Sequence, residues 1–258
     1  MPPPAIEMRS AKKSFGTNHV LRGVNLSVDR GESLAIIGGS GTGKSVAIKC
    51  IIGLIELDAG SILLEGKDIT RTKGGFATAN FGMLFQGGAL FDSMPVWQNV
   101  AFKLLRSRKS KSAALRVALE KLARVGLSEE VAYLYPSELS GGMQKRAGLA
   151  RAIATDPEII FFDEPTTGLD PIMSRVINEL IRGIVEEMGA TAVTITHDLA
   201  SVRTIAHNVA MLHRGVVEWA GEVGQLGNSG NTVVDRFVTG APESPISSAR
   251  SAPAVRRP

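Results

Sequence analysis

Short runs of apolar residues alternate along the chain with segments in which apolar residues recur every three or four positions. The clearest runs are Ser33–Ile37, Glu158–Phe162 and Thr191–Thr196, and each is continuously apolar instead of alternating with polar residues. Strands of this kind, separated by helices, are typical of a parallel sheet covered on both faces. The pattern therefore predicts an α/β fold.

Weaker signals complete the predicted order of elements. Alternation and turn glycines at Gly16, Gly23 and Gly31 indicate a small antiparallel subdomain within residues 5–34. The remaining predicted elements are strands at 61–64 and 81–85, helices beginning near Lys44, running through 143–155 and following Pro171, a last β segment at 209–217, and a short helix at 233–238.

A change of composition between Pro95 and Ser137 predicts a helical insertion. Residues 96–105 and 113–125 have helical spacing, and in the second segment the side chains of Leu115, Leu119, Leu122 and Val125 fall on one face. We assign residues 5–228 to one domain, with the insertion at about 87–140. Residues 229–258 form a C-terminal extension, which we expect to be mostly disordered at its Pro-, Ser- and Ala-rich end.

The bulk composition excludes several classes of protein. The chain has 258 residues, of which 44% are hydrophobic and 21% charged, so disorder is not its main state. It contains no apolar run as long as a membrane span and no export signal at its start, so we expect a cytosolic location. The single cysteine, Cys50, lies in an apolar run and is interpreted as a buried small hydrophobe.

A formal charge of +4 raises the question of nucleic acid or anionic lipid as a partner. The basic residues cluster at 106–111 and at 250–257. We interpret these clusters as solvated surface, with a membrane-proximal patch as the alternative. No nucleic-acid partner is predicted.

A glycine-rich segment between a buried strand and a helix carries the first chemical motif. Glycines in such a loop let backbone N–H groups turn inward around a phosphate, and the helix N-terminus adds its dipole. The lysine is expected to neutralise the β- and γ-phosphates of ATP, and the serine that follows it to ligate Mg²⁺. The residues are Gly38, Gly39, Ser40, Gly41, Thr42, Gly43, Lys44 and Ser45.

Two adjacent acids end the buried strand at residues 158–162. Asp163 is expected to hold Mg²⁺ through its water shell, and Glu164 to polarise the attacking water. Taken alone, the pair is equally compatible with a turn before Pro165. Together with the phosphate loop, it predicts a catalytic site.

The hexapeptide from Leu139 to Gln144 contains Ser140, Gly141 and Gly142 at a predicted helix start, which suits a second anion site or an ordinary helix cap. Its sequence, Leu-Ser-Gly-Gly-Met-Gln, and its position upstream of the acid pair resemble the signature of ATP-binding cassette (ABC) ATPases. The resemblance extends from about Ile6 to Gly221 with the motifs in order. It implies the P-loop nucleotide-binding fold with an antiparallel β subdomain and a helical insertion.

The resemblance implies roles for four further residues. Phe15 matches the aromatic residue that stacks on adenine, although Tyr is more common there. Gln86 matches the glutamine that contacts Mg²⁺ and the attacking water. Asp170 matches the loop that communicates across the dimer, and His197 the histidine that holds the γ-phosphate and orients Glu164.

In this family each nucleotide lies between the phosphate loop of one subunit and the signature of the other. Because this chain has one copy of each motif, the resemblance implies a homodimer around two Mg-ATP that drives separate, membrane-embedded permease subunits. Non-transport ABC ATPases remain the alternative class, although those in translation and DNA repair usually carry two cassettes or large insertions.

Residues 87–94, Gly-Gly-Ala-Leu-Phe-Asp-Ser-Met, are similar to the ATPase subunits of Mla-type phospholipid transport systems in bacterial envelopes. That similarity implies a peripheral location on the cytoplasmic face of the inner membrane, a periplasmic lipid-binding subunit and a small cytosolic regulatory subunit. Import of another small substrate is the alternative. We expect Ala89, Leu90, Phe91 and Met94 to dock a permease, with core packing as the alternative. Residues 235–240, Asp-Arg-Phe-Val-Thr-Gly, resemble the tail that such subunits extend across the dimer.

Overall fold

A six-stranded sheet forms the centre of the computed structural model, which describes residues 2–71, 80–107 and 110–241. The spatial order is β10-β9-β3-β8-β7-β6; the pairs among β9, β3, β8, β7 and β6 are parallel, and β10 is antiparallel to β9. The strands are β3 (Ser33–Ile37), β6 (Phe81–Leu84), β7 (Ile159–Asp163), β8 (Thr191–Ile195), β9 (Asn208–His213) and β10 (Val216–Glu222).

Helices and a second sheet cover this sheet on its two faces, as the apolar runs predict. Every residue of β3 and β8 is buried. One face packs against α1 and the small sheet, and the opposite face packs against the remaining helices. The helices are α1 (Lys44–Ile51), α2 (Val96–Val100), α3 (Phe102–Arg106), α4 (Lys111–Arg124), α5 (Gly141–Ala152), α6 (Pro171–Met188), α7 (Leu199–Ile205) and α8 (Thr232–Thr239).

The predicted antiparallel subdomain is a four-stranded sheet in the order β2-β1-β4-β5. It consists of β1 (Ile6–Phe15), β2 (Asn18–Val28), β4 (Ala59–Leu64) and β5 (Lys67–Asp68). The prediction of a turn at Gly23 is wrong, because Gly23 lies inside β2, where its φ of 108° interrupts an otherwise regular strand. The strand β3, at the end of the predicted range, belongs to the central sheet.

Between β6 and α5 the regular elements formed by the described residues are helices, joined by turns and irregular segments, in agreement with a helical insertion. The segment predicted as one helix at 96–105 is two helices, since the backbone turns at Ala101 between α2 and α3. In α4 the side chains of Ala114, Ala118 and Leu122 are fully buried, with Leu115 and Leu119 packed beside them. Two 3₁₀ helices, Glu129–Tyr133 and Pro136–Glu138, lead to α5.

The last predicted β segment, at 209–217, is a hairpin of two strands. Arg214, with φ of 47°, and Gly215, with φ of 83°, make the turn between β9 and β10, so the prediction of one segment is wrong. A 3₁₀ turn at Val223–Gln225 then leads to α8, which packs Val234 and Phe237 against β3 and β9. The predicted disorder of the tail concerns 242–258, which lie outside the described residues, as do positions 108 and 109 of the basic cluster.

Candidate nucleotide-binding site

The glycine-rich loop between β3 and α1 is shaped by backbone conformations that favour glycine. Gly38, Gly41 and Gly43 have φ of 144°, 75° and 102°. A Cβ on Gly38 would lie 2.2 Å from the carbonyl oxygen of Leu212 on the neighbouring strand, so no side chain fits there. The loop is therefore closed tightly against the sheet, with its backbone available to surround an anion.

Lys44, the first residue of α1, is folded back over this loop. Its Nζ donates to the carbonyl oxygens of Gly38 and Gly39, at 2.8 Å each, and the side chain is buried. Burial lowers the pKa of Lys44, while the carboxylates of Glu164 and Asp163 oppose the shift. The loop thus holds a desolvated cation at its centre, where it would bind a phosphate strongly.

Ser45 and Asp163 meet beside the loop. The Ser45 hydroxyl donates to Oδ1 of Asp163 at 3.5 Å. Burial raises the pKa of Asp163, and the adjacent Glu164 carboxylate raises it further. One hydroxyl and one carboxylate fit Mg²⁺, which usually keeps several waters and takes substrate phosphate oxygens as further ligands. The described residues contain no cluster of three His, Cys, Asp or Glu side chains that could hold a metal without such help.

Glu164 follows β7 in a left-handed conformation, with φ of 49°. Its backbone N–H donates to the carbonyl oxygen of Ile195 at 2.9 Å, which ties it to the end of β8. Its carboxylate accepts a hydrogen bond of 2.8 Å from the hydroxyl of Thr167 and lies 3.0 Å from Nδ1 of His197. The structure therefore brings the predicted acid and the predicted histidine into direct contact.

Gln86 lies two residues beyond β6, whose last residue Leu84 pairs with Phe162 on β7. Its side chain is exposed. Because β6 and β7 are parallel, Gln86 and the Asp163–Glu164 pair leave the sheet at the same edge.

The signature residues and Asp170 form helix caps within this chain. Ser140 caps α5 by accepting from the N–H of Met143 at 3.3 Å, and Asp170 caps α6 by accepting from Ile172 and Met173 at 3.0 Å each. Gly142 is packed so closely that a Cβ would lie 2.7 Å from Cε of Met173. Ser140 and Asp170 are exposed, and neither lines the cavity beside the phosphate loop.

A cavity of about 750 Å³ lies between the phosphate loop, the β9–β10 turn and α8. Three arginines, Arg22, Arg214 and Arg236, line it together with His19 and His213, and no acidic residue does. Lys44, Ser45 and Asp163 lie outside it. Sequence patterns did not single out this basic wall, because its residues come from three distant segments. The cationic turn at 213–215 is the local sequence feature that could have indicated these basic residues.

Phe15 ends β1 and pairs in register with Asn18, which lines this cavity. The Phe15 side chain is 48% exposed, and Nζ of Lys13 lies 5.6 Å from its ring centroid. Phe15 itself does not line the cavity, but its ring is exposed and it pairs with a residue that does, which is compatible with stacking on a base.

The site combines a phosphate loop that opens a helix, a hydroxyl and a carboxylate beside that loop, and a glutamate in contact with a histidine. This combination defines a P-loop domain of the nucleotide-hydrolysing class. The profile of the ABC transporter family matches residues 21–167. The chain therefore belongs to the ABC transporter family; it is an ATPase that binds ATP with Mg²⁺ and drives transport.

Similar proteins agree with this assignment. The chain is 41% identical over 246 residues to the "probable ribonucleotide transport ATP-binding protein mkl" of Mycobacterium leprae, covering 94% of this chain and 71% of the relative. It is 37% identical over 260 residues to the chloroplastic protein "trigalactosyldiacylglycerol 3" of Arabidopsis thaliana, covering 93% and 75%.

Among solved structures, a dimer of the ATP-binding cassette MJ0796 in a post-hydrolysis state with ADP and Pi superposes with a TM-score of 0.77. It is 30% identical, and the match covers 84% of this chain and 98% of the cassette. No helix among the described residues has the length and apolar character needed to cross a bilayer.

Proposed function

We propose that this chain forms a homodimer around two Mg-ATP molecules and powers a permease that moves phospholipid between the membranes of a bacterial envelope. The observation that carries the lipid assignment is the segment after Gln86, which is similar to Mla-type subunits in sequence and presents apolar side chains at the surface. Phe91 in this segment is 43% exposed, and Phe85, just before Gln86, is 37% exposed. Exposed apolar side chains that follow one another in a single segment mark a candidate interaction site.

In the proposed nucleotide site, the adenine stacks on Phe15 and the polyphosphate lies in the phosphate loop. Backbone N–H groups from Gly38 to Gly43 surround the β-phosphate, and Lys44 leaves its carbonyl contacts to bind the phosphates. Ser45, Asp163 and Gln86 would hold Mg²⁺, which neutralises charge on the β- and γ-phosphates when bound. Ser140, Gly141 and Gly142 of one subunit bind the γ-phosphate held by the other, and Asp170 lies at the contact between the subunits.

For hydrolysis, Glu164 accepts a hydrogen bond from the attacking water and polarises it toward the γ-phosphorus. Thr167 and His197 fix the rotamer of the Glu164 carboxylate, at the distances given above. His197 donates from Nδ1 to the carboxylate, and its Nε2 is proposed to donate to the γ-phosphate, an arrangement in which both ring nitrogens carry a proton. Phosphate leaves, the subunits separate, and the permease follows that movement.

Hydrogen bonds with Arg151 and Asn99 fix the backbone of the proposed docking segment, residues 85–94. The Arg151 guanidinium donates to the carbonyl oxygens of Gly88 and Ala89, at 2.7 Å each. The fully buried amide of Asn99 accepts from the N–H of Phe91 at 2.6 Å and donates to the carbonyl oxygen of Met94 at 2.9 Å. Leu90 packs on the helical core, whereas Ala89 is exposed. Preorganised backbone with exposed apolar side chains suits docking better than core packing.

The substrate class is supported by the name of the plant relative, which is that of a galactolipid. The name of the mycobacterial relative, which refers to ribonucleotide transport, supports the alternative of another small substrate. With phospholipid as cargo, we place the chain on the cytoplasmic face of the inner membrane, in a complex with a periplasmic lipid-binding subunit and a small cytosolic regulatory subunit.

The test is to purify tagged Glu164→Gln protein from detergent-solubilised membranes with ATP and to identify bound proteins and lipids by mass spectrometry. A polytopic permease with phospholipid is the expected result. Adding Phe91→Asp to this variant should abolish recovery of the permease, whereas Leu54→Asp, at a side chain that is 64% exposed in the turn after α1, should not. An ATP-bound dimer without any membrane protein would contradict the transport proposal, and a permease with a different small molecule would contradict the lipid assignment.

A further inference from the structure

A second buried lysine, Lys145, lies next to the catalytic acid. It is on the second turn of α5, its side chain is 4% exposed, and its Nζ donates to the backbone carbonyl oxygen of Glu164 at 3.2 Å. Among the described residues no carboxylate oxygen lies within ion-pair distance of Lys145. A buried ammonium group that donates to one backbone carbonyl among the described residues is costly to maintain, so the contact calls for a functional explanation.

The contact falls on a peptide whose orientation matters. Glu164 has φ of 49°, a conformation that non-glycine residues adopt rarely and keep only where their surroundings enforce it. The N–H of Glu164 is fixed by Ile195 and its carbonyl oxygen by Lys145. These two bonds on opposite sides of the same Cα set the direction in which the carboxylate leaves the backbone.

Lys145 is also part of the signature helix. Ser140 caps α5, and Lys145 follows it by little more than one helical turn in the same continuous run of backbone hydrogen bonds. A shift of Ser140 along or around the helix axis is therefore carried to Lys145. In the proposed dimer, Ser140 binds the nucleotide of the partner, whereas Glu164 acts on the nucleotide of its own subunit.

We propose that Lys145 is a positioning residue that links the two nucleotide sites: when the signature of a subunit engages the partner's ATP, Lys145 sets the Glu164 peptide for hydrolysis of that subunit's own ATP. The inference rests on the proposed dimer and on the proposed role of Glu164. In this proposal, the catalytic geometry around a subunit's own ATP depends on the ATP bound by its partner. The hydrogen bond from Lys145 to Glu164, within one chain, carries that dependence.

Lys121 provides a matched control. It is buried to a similar degree, at 3% exposure, but its ammonium group pairs with Asp156 and Glu120 on the far side of the central sheet from the phosphate loop. Replacing either lysine by methionine keeps most of the apolar stem and removes the donor. Lys121→Met loses two ion pairs and should lower stability, whereas Lys145→Met removes a poorly compensated buried charge and should lower it less. Only Lys145→Met should affect the catalytic cycle.

The experiment measures kcat, KM and the Hill coefficient for ATP in the full chain, with Glu164→Gln as a reference that should bind ATP without hydrolysing it. For Lys145→Met we expect kcat to fall about ten- to a hundredfold, because a catalytic group displaced by up to about 1 Å loses rate by that much. KM should stay within about twofold of the parent value, and the Hill coefficient should fall to about 1. Lys145→Arg, which keeps a donor, should recover a large part of kcat. Should Lys145→Met not fold, Lys145→Gln, which is too short to reach the carbonyl, serves in its place.

The outcomes separate the two proposals. If Lys145→Met hydrolyses ATP with the kcat and Hill coefficient of Lys121→Met, the positioning role is wrong and the proposed ATPase site stands. If Glu164→Gln hydrolyses ATP at the rate of the parent protein, the assigned role of Glu164 is wrong and this inference falls with it. Loss of cooperativity in Lys145→Met, with recovery in Lys145→Arg, supports the link.

Discussion

Nδ1 of His197 lies 2.9 Å and 3.0 Å from the two carboxylate oxygens of Glu164. The histidine follows β8 and the glutamate follows β7, so two parallel neighbours in the sheet deliver the two side chains to one point. The glutamate side chain is 15% exposed and the histidine side chain 64% exposed. The acid is thus sheltered, whereas its histidine partner is open to solvent.

Replacing His197 by alanine tests this relationship. The carboxylate would keep its bond to Thr167 but lose the contact that fixes its second oxygen, and the γ-phosphate would lose its proposed donor. We expect kcat to fall by about 10²- to 10³-fold with a smaller change in KM, as for the loss of one donor to the reacting group. A coupled assay of ADP release measures both constants.

His207→Ala is the control for that substitution. His207 Nδ1 accepts from the backbone N–H of Ser33 at 3.1 Å, so it has a structural role at the opposite end of the central strands. It should lower thermal stability slightly and leave kcat within about twofold. Equal effects of the two substitutions on kcat would contradict the proposed role of His197.

The sequence allowed three parallel strands of the central sheet to be predicted in their order along the chain, because β3, β7 and β8 are buried on both faces and read as unbroken apolar runs. It did not predict their spatial order in the sheet. It did not reveal the β9–β10 hairpin, since Arg214 and Gly215 interrupt the apolar pattern only briefly. Gly23 illustrates the opposite error, in which a glycine inside a strand resembles a turn.

The candidate site likewise contains some features that the sequence predicts and others that it does not. Motifs contiguous in sequence, such as the phosphate loop and the acid pair, were identified from their local pattern. The contacts that orient them come from residues far apart in the chain: Lys145 reaches Glu164, and Arg151 reaches Gly88 and Ala89. Such contacts depend on how α5 packs on β6 and β7, which no local pattern encodes.

Gly38→Ala should destabilise the nucleotide-free protein. The new Cβ would lie 2.2 Å from the carbonyl oxygen of Leu212, and φ of 144° is unfavourable for alanine. We expect the free energy of unfolding to fall by about 1–3 kcal/mol, as for other overpacked or strained positions. Gly39→Ala is the control, because its nearest neighbour, Cγ2 of Thr42, would be 3.8 Å away. Denaturant unfolding of both variants gives the comparison; equal stability would show that the loop yields without cost.

Arg151→Met should loosen the proposed docking segment. Burial lowers the pKa of Arg151, and the guanidinium satisfies two carbonyl oxygens that no other described residue is positioned to pair. Removing two charge-assisted bonds should raise hydrogen exchange in residues 88–94 by about tenfold or more. Arg182→Met, at an exposed position on α6, should leave exchange there unchanged. Unchanged exchange in Arg151→Met would mean that Asn99 alone holds the segment.

Two truncations test whether the tail is exchanged across the dimer. Deletion from Gly227 would remove α8, whose Val234 is fully buried against the central sheet, so it should lower stability by several kcal/mol whatever the tail does. Deletion from residue 242 removes only the tail. If the tail is exchanged, this shorter truncation of Glu164→Gln protein should weaken the ATP-dependent dimer in light scattering without lowering stability. An unchanged dimer would contradict exchange.

The lone cysteine, Cys50, predicts that the protein loses stability at high pH. Burial raises the pKa of the Cys50 thiol from 9.0 to about 11, because the thiolate would be formed in an apolar environment. The neutral thiol therefore contributes stability that is fully present below pH 9 and is lost as pH rises through about 11. Over that window the loss amounts to about 2–3 kcal/mol. Lysines titrate in the same range, so the comparison must be with Cys50→Ala, which keeps every lysine and lacks the thiol. We expect unfolding curves of the parent protein to lose stability relative to Cys50→Ala between pH 9 and 11.

At pH 8 the native thiol should resist an aromatic disulfide reagent that labels it at once in denaturant. Because the chain has one cysteine, labelling reports on this position alone, and rapid reaction of the native protein would show that the helix α1 opens or that the thiol is not buried.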